Sequence, residues 1–261
     1  MPSPSPARVS RIARLAEGTR VFHALLSDDG RVREAWGDPF SGLTPAGPSR
    51  PLDGLRFLTP LVPSKIVCIG RNYVAHAAEL GHAVPAEPLL FLKPPSALLP
   101  HQGIVRLPRA SAQVDFEGEL GIVIGRVARD VPEELALEFV LGYTCVNDVT
   151  ARDLQRQDVQ FTRAKGFDTF CPFGPCIATG LDPQTLRVET FVNGERRQAA
   201  PVTDMIFPPA RLIAYVSRIM TLEPGDLIAT GTPEGVGPLS PGDEVVVSID
   251  GIGRLSNRVA A

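Results

Sequence analysis

The chain is 261 residues long, carries a formal net charge of −3, and is 44% hydrophobic and 21% charged. That is room for one sizeable core, or one core with a small appendage, and the charge balance offers no electrostatic footprint for nucleic acid or anionic lipid. No apolar run approaches the roughly 20 residues of a membrane span.

The opening Met1-Pro2-Ser3-Pro4-Ser5-Pro6-Ala7 reads as a disordered tail and lacks the order of a signal peptide, so a cytoplasmic protein is expected. Short strands are expected at Arg8–Leu15, Arg20–Leu26 and Val32–Trp36, the last after the turn Asp28-Asp29-Gly30. A Pro/Gly/Ser-rich stretch from Asp38 to Pro51 marks a boundary. Residues 1–58 are taken as a small β-rich N-terminal domain and 59–261 as the main domain. The main domain opens with the strand Lys65–Gly70. A short helix follows, with Asn72 suited to the N-cap and Gly81 to the residue past the last turn. Strands are expected at Leu89–Leu92, Gly103–Leu107, Val114–Ile124, Tyr143–Asn147, Val188–Val192, Asp226–Thr230 and Glu244–Ile249. Asn193-Gly194 and Asp250-Gly251 read as hairpin turns. Helices are expected at Pro132–Phe139, Thr150–Gln157 and Pro208–Thr221, the last burying Ile213, Val216 and Met220 on one stripe. Strands outnumber helices and do not alternate with them. This predicts an α+β, β-rich fold and argues against a doubly wound nucleotide fold. The glycines 231, 235 and 237 lack the lysine of a phosphate loop.

Cys68, Cys145, Cys171 and Cys176 lie in or beside apolar runs without C-x-x-C spacing, so buried reduced thiols are expected. Of the 26 basic residues only Lys65, Lys93 and Lys165 are lysines. Where Arg is the habitual cation, a Lys hints at a site that needs a compact point charge.

The chemistry centres on Asp115-Phe116-Glu117-Gly118-Glu119. On a strand, residues two apart share a face, so Glu117 and Glu119 point together, with Asp115 beside them. Like charges on a half-buried face repel, and a divalent cation removes the penalty. Asp148 ends the strand Tyr143–Asn147. It reads either as a cap for the helix near Thr150 or as a third ligand. Three carboxylates without Cys or His describe a hard-cation site, Mg²⁺ or Mn²⁺ and not Zn²⁺. Lys165, before Gly166 and an aromatic run, reads either as a snorkelling surface lysine or as an ammonium aimed at developing negative charge. His76 and Glu79 are neighbours at i and i+3 on a helix, the arrangement of a carboxylate-oriented general base. The Gly/Pro/Ala-rich stretch after them, Gly81–Pro88, has the composition of a movable lid. The turn at Thr230–Gly237 offers N–H groups and a Thr hydroxyl to a carboxylate. His23 and His101 have no partner in sequence.

Six segments in this order resemble the fumarylacetoacetate hydrolase superfamily: G-R-N-Y-x-x-H-x-x-E at 70–79, F-L-K-P at 91–94, F-E-G-E-L at 116–120, N-D-x-T-A-R-D at 147–153, R-A-K-G at 163–166 and T-G-T-P-E-G-V-G at 230–237. The N-terminal part is similar to that of bacterial members that isomerise 2-hydroxyhepta-2,4-diene-1,7-dioate. The resemblance implies a mixed β-sandwich roll and a homodimer. It implies Glu117, Glu119 and Asp148 as ligands of Mg²⁺ or Mn²⁺, a lid-borne His76–Glu79 dyad that activates water, and Lys165 as oxyanion stabiliser. It also implies Arg71, Asn72, Arg152, Gln155 and Thr232 as contacts to a small 2-oxo or enol carboxylic acid. The eukaryotic hydrolase has a further Asp ligand seven residues before its histidine. Here that position is Ile69, so fumarylacetoacetate itself is disfavoured.

The expected activity is metal-dependent chemistry on an enolisable 2-oxo acid. Isomerisation of 2-hydroxyhepta-2,4-diene-1,7-dioate or C–C hydrolysis of an acylpyruvate ranks first. The alternatives are oxaloacetate decarboxylation and a non-catalytic, metal-stabilised acid-binding protein.

Overall fold

The computed structural model describes residues 9–79, 81 and 83–261. The expected tail, the first residue of the strand Arg8–Leu15 and part of the expected lid at Gly81–Pro88 therefore lie outside the described residues.

Three sheets build a β-rich roll. The largest runs, in spatial order, Gly42–Pro45, Val32–Asp38, Arg20–Leu26, Ser10–Glu17, Cys171–Thr179, Val140–Asn147, Gly118–Ile124, Leu227–Ala229, Ile66–Gly70 and Leu89–Lys93. A second sheet orders Glu195–Pro201, Arg187–Val192, Glu244–Ile249, Gly253–Ala260 and Ile104–Arg106. A small third sheet joins Thr150–Ala151, Val114–Phe116 and Gly237–Pro238. Ile66-Val67-Cys68-Ile69 is buried throughout, as a strand covered on both faces must be, and it pairs in parallel with Leu227–Ala229. The helix Pro209–Ile219 packs its Leu212, Ile213 and Val216 into the main core. The four cysteines are buried and free. Among the described residues no helix is long and apolar enough to cross a membrane.

The division at residues 58/59 is not a division of the core. Ser10–Glu17 hydrogen-bonds Cys171–Thr179, and Leu15, Phe22 and Phe57 share one apolar cluster with Leu120, Ile122 and Val247. His101 adds a stitch: its ring meets Phe57 edge-on at 4.8 Å, and its Nδ1 accepts the Ser256 N–H at 3.0 Å.

Several expected elements differ. Val114–Ile124 is not one strand but two, Val114–Phe116 and Gly118–Ile124, in different sheets. The physical cause is that side chains take the backbone donors at the junction. Glu117 N–H goes to Asn147 Oδ1 at 2.9 Å, and Gly118 N–H to Gln198 Oε1 at 2.9 Å. The chain can thus leave one ladder and enter another without orphaned N–H groups. Thr150 and Ala151 pair as a strand, so the helix starts only at Arg152. Residues Glu133–Phe139 form a 3₁₀ helix. Cys171–Thr179 was masked by its two prolines. Pro175 falls where the ladder with Val140–Asn147 shifts register, so its missing N–H breaks no regular pair. Asn72 does not cap the helix Val74–Glu79. Its amide donates to Thr230 O at 2.8 Å and Phe207 O at 3.0 Å, and its Oδ1 accepts Phe207 N–H at 2.8 Å.

Candidate active site

The sheet switch at Glu117 places the acidic residues. Asn147 lies opposite Gly118 in the central ladder, and Asp148 N–H donates to Glu117 O at 2.8 Å. Asp148 therefore emerges next to Glu117, and Glu119 follows two residues after Glu117, as the second residue of the strand Gly118–Ile124. One carboxylate oxygen from each of Glu117, Glu119 and Asp148 lies within 4.8 Å of the others, and all three side chains are buried. Gly118 is required between the glutamates: a Cβ there would sit 1.9 Å from Thr190 Oγ1 of the second sheet. Asp115 does not join the group. Its carboxylate accepts Arg152 Nε at 2.8 Å and Gln113 Nε2 at 3.1 Å.

Burying three acids demands positive charge. Lys165 Nζ donates to Asp148 Oδ2 at 2.7 Å and Glu117 Oε2 at 2.9 Å, and Arg152 Nη2 holds the other Glu117 oxygen. Lys93, whose motif was noted without a role, is the missed member. Its buried ammonium lies 2.7 Å from Asp148 Oδ1 and donates to Lys165 O at 2.6 Å and Val149 O at 3.0 Å. Lys65 likewise pairs with the buried Asp226, so each of the three lysines neutralises a buried acid. Scarcity of lysine was the signal that pointed to them. Burial works against charge on Lys165, but Asp148 and Glu117 outweigh it and hold its pKa above the ordinary lysine value. Burial also opposes ionisation of Glu117, yet Lys165 and Arg152 hold its carboxyl below the usual range. Glu119 goes the other way. Burial, then the charges of Asp148 and Glu117, raise its pKa well above normal, and among the described residues its carboxylate accepts one hydrogen bond, from Gly231 N–H at 2.8 Å. The triad is short of positive charge at Glu119. Three hard oxygen donors with this shortfall fit a divalent cation of the Mg²⁺ or Mn²⁺ kind.

At the same cavity, the buried His76 has Nδ1 3.2 Å from Glu79 Oε2. Glu79 also accepts Gly235 N–H, at 3.1 and 3.3 Å to its two oxygens. The glycine-rich turn thus does hold carboxylates, but they are the protein's own: Gly231 holds Glu119 and Gly235 holds Glu79. Thr232 correspondingly spends its hydroxyl on Gly118 O at 2.9 Å and accepts Gln198 Nε2 at 2.8 Å.

These groups line a cavity of about 320 Å³. Arg71, His76, Glu117, Glu119, Asp148, Arg152, Gln155, Lys165 and Thr232 all face it, whereas Asn72 does not. Asn72 instead ties the corner before the dyad helix to the glycine-rich turn. Arg152 is spent on Asp115 and Glu117, and its Nη1 donates to Gln155 Oε1 at 2.6 Å, so it orients more than it reaches. Leu89, Phe91 and Phe161 supply an apolar side, and Arg156, unforeseen in the sequence, stands at the same cavity.

A β-rich roll with a buried carboxylate triad and a His–Glu dyad at one cavity defines a class of small-acid enzymes. The chain belongs to the fumarylacetoacetate hydrolase family: residues 65–260 match the fumarylacetoacetate (FAA) hydrolase C-terminal model. Residues 10–60 match the Rv2993c-like N-terminal model. Protein Rv2993c of Mycobacterium tuberculosis is 48% identical over 260 residues, covering 95% of this chain and 97% of its own. The mitochondrial oxaloacetate tautomerase FAHD1 of Arabidopsis thaliana is 46% identical, covering 74% of this chain and 89% of its own. A 2-hydroxyhepta-2,4-diene-1,7-dioate isomerase from Mycobacterium marinum superposes with a TM-score of 0.89 at 44% identity, over 96% of this chain and 98% of that one. Fumarylpyruvate hydrolase from Pseudomonas aeruginosa, in complex with Mn²⁺ and pyruvate, gives a TM-score of 0.73 at 35% identity, over 78% of this chain and 91% of that one.

Proposed function

We propose that this protein is a Mg²⁺- or Mn²⁺-dependent enzyme that moves a proton on an enolisable 2-oxo acid, as an isomerase or tautomerase. The observation that carries it is one cavity lined both by the buried His76, paired with Glu79, and by a carboxylate triad with a buried ammonium. Glu117, Glu119 and Asp148 would hold the cation, which supplies Lewis acidity toward the 2-oxo group and its carboxylate. Glu79 accepts a hydrogen bond from His76 Nδ1–H at 3.2 Å, which leaves Nε2 as the basic nitrogen. That nitrogen takes the proton from C3. The C–H electron pair becomes the C2–C3 double bond, and the C2 oxygen gains negative charge. Lys165, held charged by its acidic neighbours, would stabilise that charge. Return of the proton at another carbon or at oxygen completes isomerisation or tautomerisation. Arg71 and Gln155 contact the substrate, while Arg152 holds Gln155 and Glu117 in place. A homodimer and a cytoplasmic location belong to the same proposal.

A second reading, C–C hydrolysis of an acylpyruvate, draws support from the similarity to a hydrolase structure holding pyruvate, the fragment such cleavage releases. In it His76 activates water instead of removing a C3 proton. Decarboxylation of oxaloacetate uses the same charge stabilisation but no base. The dyad favours all the catalytic readings over simple acid binding.

The test is a turnover screen of oxaloacetate enol–keto exchange, 2-hydroxyhepta-2,4-diene-1,7-dioate and acylpyruvates, with Mn²⁺, Mg²⁺ or EDTA. The expected result is EDTA-sensitive proton transfer on at least one of them. No metal-dependent turnover of any would overturn the proposal.

A further inference from the structure

The strand Glu195–Pro201 is the edge of the second sheet, and among the described residues the cavity lining includes none of its members. After three exposed residues, its Gln198 is only 1% exposed. The carboxamide is fully committed. Oε1 accepts Gly118 N–H at 2.9 Å, and Nε2 donates to Thr232 Oγ1 and to Pro233 O, both at 2.8 Å. Thr232 closes a ring by donating to Gly118 O at 2.9 Å. One buried hydrogen-bond ring therefore joins three segments: the sheet switch between Glu117 and Glu119, the glycine-rich turn and the edge strand.

We propose that Gln198 is a positioning residue that fixes the spacing between the triad glutamates and the glycine-rich turn, and through the turn the place of Glu79. This takes the triad as the cation site proposed above and adds the group that holds its span.

The turn is where the two halves of the site meet. Its Gly231 N–H holds Glu119 at 2.8 Å, and its Gly235 N–H holds Glu79 at 3.1 Å. A shift of the turn thus moves a triad carboxylate and the dyad carboxylate together. The second sheet bears on both sides of the joint. Thr190, opposite Gln198 in the ladder, lies so close to Gly118 that a Cβ there would be 1.9 Å from its Oγ1. Arg197, next to Gln198 in the chain, sets its carbonyl against Gly235, where a Cβ would be 2.1 Å away. The edge strand therefore meets the switch and the turn at adjacent residues, and Gln198 bonds to both. The competing reading is a polar filler of the core. An apolar side chain of similar length would fill the same space, but it would withdraw the partner of Gly118 N–H and Pro233 O. A filler matters for stability alone, whereas a positioning group also moves the carboxylates.

The experiment reads two quantities on the full chain. One is amide exchange at Gly231 and Gly235, by nuclear magnetic resonance in EDTA. The other is Mn²⁺ affinity, by electron paramagnetic resonance. Gln198→Met should speed exchange at both glycines and weaken Mn²⁺ binding, each by about fivefold or more, the size expected from losing a buried hydrogen bond. Val188→Ala, a buried site on the neighbouring strand, should lower the urea midpoint while leaving both quantities within about twofold of wild type. Unchanged exchange or unchanged Mn²⁺ affinity in folded Gln198→Met would overturn the proposal, as would equal changes in Val188→Ala. Should Gln198→Met not fold, Gln198→Glu decides. It keeps an acceptor for Gly118 N–H and loses the donors to Thr232 and Pro233, so exchange should rise at Gly235 and not at Gly118. The same change at both amides, or at neither, would overturn the proposal. No Mn²⁺ bound by the wild type would overturn the cation site, while the exchange rates in EDTA still judge Gln198.

Discussion

The two walls of the cavity are built to different standards. Glu117 and Asp148 are each gripped by two cations, and they issue from the central ladder where Asn147 and Gln198 hold the backbone. The dyad wall stands on a six-residue helix, and Glu79, with its side chain 34% exposed, is fixed by His76 and one backbone amide of the glycine-rich turn. Among the described residues the acidic wall is held by redundant ion pairs, whereas the Glu79 end of the dyad wall is a clasp closed by His76 and the Gly235 N–H. Strong, redundant contacts suit groups that must stay charged and close together. A clasp suits groups that must admit substrate and then meet it.

That contrast is breakable by variants. His76→Ala should lower kcat for proton transfer by about 10²–10⁴-fold, while Mn²⁺ affinity stays within about threefold, measured by steady-state kinetics and calorimetry. A matching loss of metal binding would show the walls to be one unit. Oxaloacetate decarboxylation, which needs no base, should suffer less in this variant.

Lys93→Met removes the cation beside Asp148 Oδ1. Because it strips a buried acid of a partner, the loss in EDTA should be about 3 kcal/mol by urea denaturation, and smaller in saturating Mn²⁺. The same loss in both conditions would show that the ammonium does not serve to neutralise the triad.

Gly235→Ala attacks the clasp. Gly235 has a φ of +93°, and a Cβ there would lie 2.1 Å from Arg197 O, so the turn must shift away from Glu79. A fall in kcat/KM of about tenfold with Mn²⁺ affinity kept is the expected outcome. Full activity would show that Glu79 needs no amide anchor.

The smallest effect lies outside the cavity. Burial holds the pKa of His101 below its ordinary 6.5, and its Nδ1 accepts a backbone hydrogen bond, so the native state favours the neutral ring. The unfolded chain then binds the proton first as pH falls. The stabilisation is complete above about pH 6.5 and is lost as pH drops toward the lowered native value. His101→Gln should flatten the decline in stability between pH 7 and 5.5 by about 1 kcal/mol or less, read from urea midpoints. An unchanged slope would remove His101 as its source.

The residues that meet at the cavity were legible because carboxylates, a lysine among arginines and an H-x-x-E pair stand out by type and spacing. How they meet was not. Period-2 spacing put Glu117 and Glu119 on a single strand, but the chain changes sheets at Glu117, a step made possible by Asn147 and Gln198, 30 and more residues away. Thr232 and Asn72 looked like groups for substrate or a helix end. Both are spent on distant backbone or side-chain partners that only the folded chain brings near. Arg156 drew no reading in the sequence, because only the folded chain sets the helix Arg152–Gln157 beside the cavity.

The account depends on Glu117, Glu119 and Asp148 sharing one divalent cation. Electron paramagnetic resonance titration of Mn²⁺ tests it directly, on the wild type and on Glu119→Ala, with circular dichroism to confirm that the variant is folded. One tight Mn²⁺ per wild-type chain, absent from the folded Glu119→Ala variant, is the predicted result. Tight Mn²⁺ retained by that variant, or none bound by the wild type, would contradict it.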